Sequence, residues 1–137
     1  MKMKLVDANV LIYGAGRPHP LRDVCNDVLE AIGNGGIEAT IDVEVFQEIL
    51  HYYQKQRLMD YGAMVFRSTA GLFPDPLQVT MSTVEMALDI LRSSPQVQAR
   101  DAVHAAVVLE NDLEGIITAD RSFEGIPGVK RFDPKEF

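Results

Sequence analysis

The sequence is short of cysteine, of basic charge and of long apolar runs, and each shortage narrows the reading. Cys25 is the only cysteine among 137 residues. No disulfide can form within the chain, which fits a reducing cytoplasm. Lys and Arg number 13 against 20 Asp and Glu, a formal net charge of −7. A simple basic nucleic-acid binder is therefore not the first expectation, although clustered acids are able to hold cations. No apolar run reaches the length of a membrane span. Lys2 and Lys4 precede an apolar run as in a secretory leader, but Asp7 interrupts that run and it is too short to span a membrane. Repeats, low-complexity tracts and linkers are lacking too. With 47% hydrophobic residues, residues 1–137 are expected to form one soluble, cytoplasmic domain.

What is present alternates between two periodicities. Residues 3–6 read as a first strand inside "KLVDANVLIY", whose apolar run continues past Asp7. Leu21, Val24, Cys25, Val28, Leu29 and Ile32 repeat at helical spacing, and "GNGG" stops that helix. "IEATI" alternates like a short strand, after which Asp42 is placed to cap a helix carrying Val45, Phe46, Ile49, Leu50 and Tyr53. Helical periodicity runs over 58–72 and ends at Pro74 and Pro76. "LQVTM" resembles another strand, and Ser82 with Glu85 forms a capping-box pattern for a helix through about Leu91. "ARDAVHAAVVLEND" has the small and apolar spacing of a packed helix. "GIIT" and "GVKRF" are the last expected strands. Strands alternating with helices predict an α/β domain with a largely parallel sheet.

Such sheets bind ligands beyond the carboxyl ends of their strands. Asp7 follows the first expected strand and Asp120 follows "GIIT". Apolar neighbours there desolvate both groups, and two nearby carboxylates raise each other's proton affinity unless a cation sits between them. Glu48 lies beside the buried stripe of its helix, and Asp101 opens "RDAVHAA", where its charge meets the favourable end of the helix dipole. Each acid alone also has an ordinary reading: Asp120 as a turn residue, Asp101 as a cap, Glu48 as a solvated acid, Asp7 as a local hydrogen-bonding group. Four at these positions are harder to dismiss, but spacing does not show that they meet.

"LVDANVLIY", "TIDVEVFQEIL", "ARDAVHAAVVLE" and "IITADRSF" occur in an order that resembles the PIN domains, and the size and motif set are similar to the VapC-type toxins of prokaryotic toxin–antitoxin pairs. The resemblance implies a three-layer α/β/α fold with a central parallel sheet, and a metal-dependent ribonuclease. It matches Asp7, Glu48, Asp101 and Asp120 to the family's four acids, in that order. Asn9 matches the polar residue two after the first acid, and Thr118 the hydroxyl residue two before the fourth. Ala8 stands where the family commonly has Thr or Ser. Glu44 and Glu124 have no such match: Glu44 reads as a first-turn helix charge, and Glu124 lies near the fourth acid in sequence. The resemblance also implies an RNA substrate, a separately encoded antitoxin that occludes the acidic pocket, and a homodimer.

On that basis Asp7, Asp101 and Asp120 are expected to hold Mg²⁺, with Mn²⁺ as the other hard cation that suits oxygen ligands. Glu48 is expected to bind a second metal or orient the attacking water, and Asn9 and Thr118 to orient ligands. Arg17, Arg22, Lys55, Arg57, Arg100 and Arg121 are candidate phosphate contacts, with Arg100 and Arg121 preferred because they adjoin proposed ligands. His104 lies three residues after Asp101 and is expected to pack or hydrogen-bond, since a metal-free acid–base pair would need two convergent histidines. No HExxH pattern points to zinc. Tyr52 and Tyr53 offer stacking surfaces, although Tyr53 falls at a core position. Residues 58–73 carry apolar side chains suited equally to an interface or the core. Two rivals stand beside the nuclease. A phosphotransfer or phosphatase domain also collects acids at strand ends, but a haloacid-type site would want Asp where Asn9 stands. A catalytically silent interaction module would need no complete acid set.

Overall fold

The computed structural model describes residues 3–137, so Lys2 lies outside the described residues. Four strands make one sheet: β1 (Lys4–Val6), β2 (Ala39–Thr40), β3 (Gly115–Ile117) and β4 (Arg131–Phe132). They lie in the order β2-β1-β3-β4, and every pairing is parallel. Around them stand α1 (Ala8–Tyr13), α2 (Arg22–Gly33), α3 (Glu44–Lys55), α4 (Met59–Leu72), α5 (Met81–Ser93) and α6 (Ala99–Glu110). No helix among the described residues is long and apolar enough to cross a membrane.

Strand alternation divides the core in two. Successive side chains on a strand point to opposite faces. Val6 and Ile117 pack with Val10, Val28, Ile49 and Tyr53 on the side of α1 to α4. Leu5 and Ile116 pack with Ala87, Ala102, Ala105 and Val108 on the side of α5 and α6. The central strands are thus apolar on both faces, as a covered parallel sheet requires, and the three-layer expectation holds. Gly62 brings α4 onto α3: a Cβ there would sit 2.6 Å from that of Tyr53. In the 58–73 segment, Val65 and Phe73 are buried while Met59 and Met64 are exposed, so the segment serves the core and also leaves apolar surface.

The expected first strand ends at Val6, and the apolar run past Asp7, to which the sequence pattern assigns no helix, is helix α1 with Asp7 as its N-cap. Two local expectations need correction. "LQVTM" forms no strand. Leu77 makes a single parallel bridge with Asp42, and Thr80 already caps α5. The capping box uses Thr80 and Thr83 rather than Ser82 and Glu85, while Ser82 Oγ donates to Glu110 Oε2 at 2.9 Å. Hydroxyl side chains one turn apart satisfied the same pattern two residues earlier.

Candidate functional site

Chain connections diverge between β1 and β3: from β1 the chain crosses to β2 on one side, and from β3 to β4 on the other. A crevice opens at such a switch point beyond the carboxyl ends of the strands. Val6 and Ile117 are paired there, and Asp7 N–H extends the ladder to Ile117 O at 3.0 Å. Asp7 and the Thr118–Asp120 segment therefore leave adjacent strands side by side. The resulting cleft encloses about 640 Å³ and is lined by Asp7, Ala8, Asn9, Ile12, Tyr13, Gln47, Glu48, His51, Tyr52, Lys55, Arg100, Asp101, Ala119 and Asp120. All four sequence-selected acids face it.

Asp7 is 4% exposed and fixed on both oxygens. Oδ1 accepts Ala8 N–H at 2.7 Å, while Oδ2 accepts the Thr118 hydroxyl at 2.7 Å and Asn9 Nδ2 at 3.2 Å. Thr118 Oγ1 in turn accepts Asn9 Nδ2 at 3.1 Å and Asp120 N–H at 3.0 Å. One hydroxyl thus links the first and fourth acids. Asp120 Oδ1 caps the short 3-10 turn Arg121–Phe123 by accepting Ser122 N–H at 2.9 Å. Asn9 and Thr118 hold Asp7 and the segment bearing Asp120 in a fixed relation.

The helices supply the other two acids. Asp101 lies in the first turn of α6 and is 5% exposed. Glu48 lies on α3, with Oε1 3.4 Å from Arg100 Nε and Oε2 2.5 Å from His104 Nε2. His104 is fully buried, and its Nδ1 meets Asp42 Oδ2 at 2.6 Å. Its Nε2 also lies 3.7 Å from Asp7 Oδ1. The expected hydrogen-bonding role of His104 therefore takes a specific form, between two carboxylates. Asp42 stands one residue before Val43, the N-cap of α3, and accepts Val45 N–H in the first turn at 3.3 Å; its bond to the ring was not anticipated. The one hint in sequence is that His104 stands one turn beyond Asp101 on the same helix.

The charges are perturbed as crowded acids should be. Burial, then the repulsion of Glu48, pushes Asp7 above its ordinary value despite the opposing pull of His104. Burial, then Asp7 and Asp120, pushes Asp101 up to about 7. Burial works against a charged His104 ring, yet Asp42, Glu48 and Asp7 together raise it well above its ordinary value. Shifts by desolvation plus named charges in a cleft make this the candidate functional site.

A cation would relieve this crowding. Asp7, Glu48 and His104 bring ligand-type atoms within 4.8 Å of one another, although both His104 nitrogens are taken by Asp42 and Glu48, and Asp101 and Asp120 add carboxylates to the same cleft lining. Oxygen-rich donors of this kind fit a hard divalent ion.

The preferred arginines separate. Arg100 lines the cleft beside Glu48 and Asp101. Arg121 is 80% exposed and pairs with Glu124 at 3.3 Å, outside the cleft lining. Glu124 also pairs with Arg131, so neither belongs to the acid group. Arg22 pairs with its neighbour Asp23, and Arg17 lies over the Tyr61 ring. Lys55 and Tyr52 line the cleft, whereas Tyr53 is buried in the core.

The PIN domain family model matches residues 4–129. Ribonuclease VapC13 of Mycobacterium tuberculosis is 34% identical over 129 residues, 94% of this chain and 98% of that protein. DNA-bound VapBC from Salmonella typhimurium contains a chain of TM-score 0.76 at 16% identity, covering 98% of this chain and 99% of that one. A toxin-antitoxin complex from Klebsiella pneumoniae contains another, with TM-score 0.67 at 19% identity, covering 96% and 97%. The cleft, the sheet order and these likenesses agree, and the chain belongs to the PIN domain family and, within it, to the VapC ribonucleases.

Proposed function

We propose that this chain acts as one PIN domain that hydrolyses RNA phosphodiester bonds with the help of Mg²⁺ or Mn²⁺, as the toxin of a toxin–antitoxin pair. The observation that carries the reading is the convergence of Asp7, Glu48, Asp101 and Asp120 from four separate segments on one cleft. The ribonuclease name of the M. tuberculosis relative supports the reaction class. Asp7, Asp101 and Asp120 would hold the ion. Such an ion supplies Lewis acidity, polarising a phosphoryl oxygen and lowering the pKa of the attacking water.

The chain's own residues do the rest. Thr118 and Asn9 keep Asp7 aimed into the cleft. Glu48 has both oxygens engaged, by His104 and by Arg100, which suits it to orient the attacking water at the edge of the acid group. Arg100 and Lys55 are the cationic side chains of the cleft lining and meet the phosphates, offsetting locally the net charge of −7. Tyr13 and Tyr52 offer aromatic surface on the same lining for an unpaired base.

The antitoxin would cover this acidic cleft and bring a basic side chain to it. The toxin-antitoxin complex of the K. pneumoniae neighbour supports a partner of that kind. Exposed Met59 and Met64 support a second copy packing on α4.

The test is cleavage of a panel of structured RNAs with Mg²⁺ or Mn²⁺ and then with chelator. Cleavage is expected to require the metal. Asp7→Asn is expected to lose at least about 100-fold in rate, the upper range for groups that merely support a metal ligand. Cleavage that survives chelation would refute the metal mechanism, and metal binding without turnover on any RNA would leave an interaction module.

A further inference from the structure

We propose that Asp42 is a positioning residue of this site: from outside the cleft it acts through His104 to hold Glu48 in place. Asp42 is fully buried and is not among the residues that line the cleft. Its Oδ1 accepts Val45 N–H in the first turn of α3, a task that Ser, Thr or Asn would perform as well. Its Oδ2 does what those residues would not: it places a full carboxylate 2.6 Å from His104 Nδ1.

The far side of the ring completes the chain. His104 Nε2 stands 2.5 Å from Glu48 Oε2. Lone pairs do not face each other at such separations, so a hydrogen lies in each contact and the ring is gripped at both ends. Glu48 has three side-chain torsions and needs such a grip. Its other partner, Arg100, is 53% exposed at 3.4 Å and holds it loosely. A buried carboxylate is costly even when paired. What this one provides beyond the bond to Val45 is a fixed direction for the ring and, through the ring, a fixed place for Glu48 beside Asp7. Partners of this kind, one step removed from the reacting groups, orient metal-site side chains generally.

The kinetic part of the test rests on the nuclease reading, and the spectroscopic part does not. Asp42→Asn keeps the shape and the bond to Val45 but removes the anionic anchor. His104→Asn removes the ring. With RNA and Mg²⁺ or Mn²⁺, Asp42→Asn is expected to lower kcat about 10–100-fold with KM nearly unchanged. His104→Asn should lose a similar amount, and the double variant no more than the larger single loss, because Asp42 acts only through the ring. Circular dichroism and melting curves establish that each variant folds. A wild-type kcat in Asp42→Asn, an effect on KM alone, or losses that multiply in the double variant would overturn the proposal. In metal-free wild-type protein, ¹H–¹³C spectra should show the His104 ring in one fixed environment, with sharp, dispersed ring signals that broaden or move toward random-coil positions in Asp42→Asn. A His104 ring whose signals are averaged in the wild type, or unchanged in Asp42→Asn, would overturn the positioning role. Should the wild type cleave no RNA with either metal, the nuclease reading fails, and the spectra alone still decide the role of Asp42.

Discussion

Replacing Asp101 by Asn should stabilise the metal-free protein while disabling it. Asp101 has its pKa raised from 3.8 to about 7, first by burial and then by Asp7 and Asp120. Between those two values the native state holds a proton that the unfolded chain has released. Stability therefore falls as pH rises from about 4 to about 7, and the full penalty stands above that. At about 1.4 kcal/mol per pKa unit the penalty is at most about 4 kcal/mol, and solvent screening in the open cleft lowers it to about 3 kcal/mol. Asn resembles the neutral acid at every pH and escapes it. In chelator at about pH 8, Asp101→Asn should melt up to about 10 °C above the wild type, given the usual response of a domain of this size. The difference should shrink by about half or more at about pH 5, where much of the wild-type penalty has gone. Added Mg²⁺ or Mn²⁺ should close most of the gap: at about 100 times its Kd an ion stabilises the wild type by about 2.7 kcal/mol, and the variant far less. Differential scanning calorimetry with and without chelator measures all of this. A variant that melts at or below the wild type in chelator at about pH 8, or a difference independent of pH, would refute the claim that Asp101 is held ionised at a cost.

Further outcomes follow from single contacts. Thr118→Val keeps the shape but leaves Asn9 Nδ2 and Asp120 N–H without their shared acceptor and Asp7 without its hydroxyl donor. It should cost about 1–3 kcal/mol in urea unfolding and about 10–100-fold in cleavage rate. Gly115→Ala sets a Cβ 2.2 Å from Lys130 O and 2.8 Å from the Phe132 ring. It should separate β3 from β4 and lower stability by several kcal/mol, about the upper range of single substitutions, as read from the urea midpoint; an unchanged midpoint would show that β4 is not held this closely.

Sequence legibility tracked the range of the interaction. The helices over 22–33, 59–72 and 99–110 were readable because an amphipathic or small-residue stripe is a local property. Helix α1 was not. "NVLIY" is apolar at nearly every position, so neither period stands out, and at 6 residues the helix is too short for propensity to decide. What makes it a helix is Asp7, which ends the strand and caps the turn that follows. The "LQVTM" segment failed for the opposite reason. Its β-prone residues had only Asp42 at the sheet edge to pair with, and strand propensity means little without a partner.

For the site, the order of residues was enough to say which carboxylates to suspect, because strand ends and helix starts locate them and the family resemblance orders them. It was also enough to say that apolar neighbours would desolvate them. Which of the surrounding groups contact the acids depended on the packing of the whole chain. Thr118 reaches Asp7 across 111 residues, and His104 joins Asp42 and Glu48 across 62 and 56. Arg100 entered the cleft and Arg121 did not. Each of those outcomes depends on how α3 and α6 approach the sheet, and that geometry is set by packing between segments far apart in the chain, where no local pattern records it.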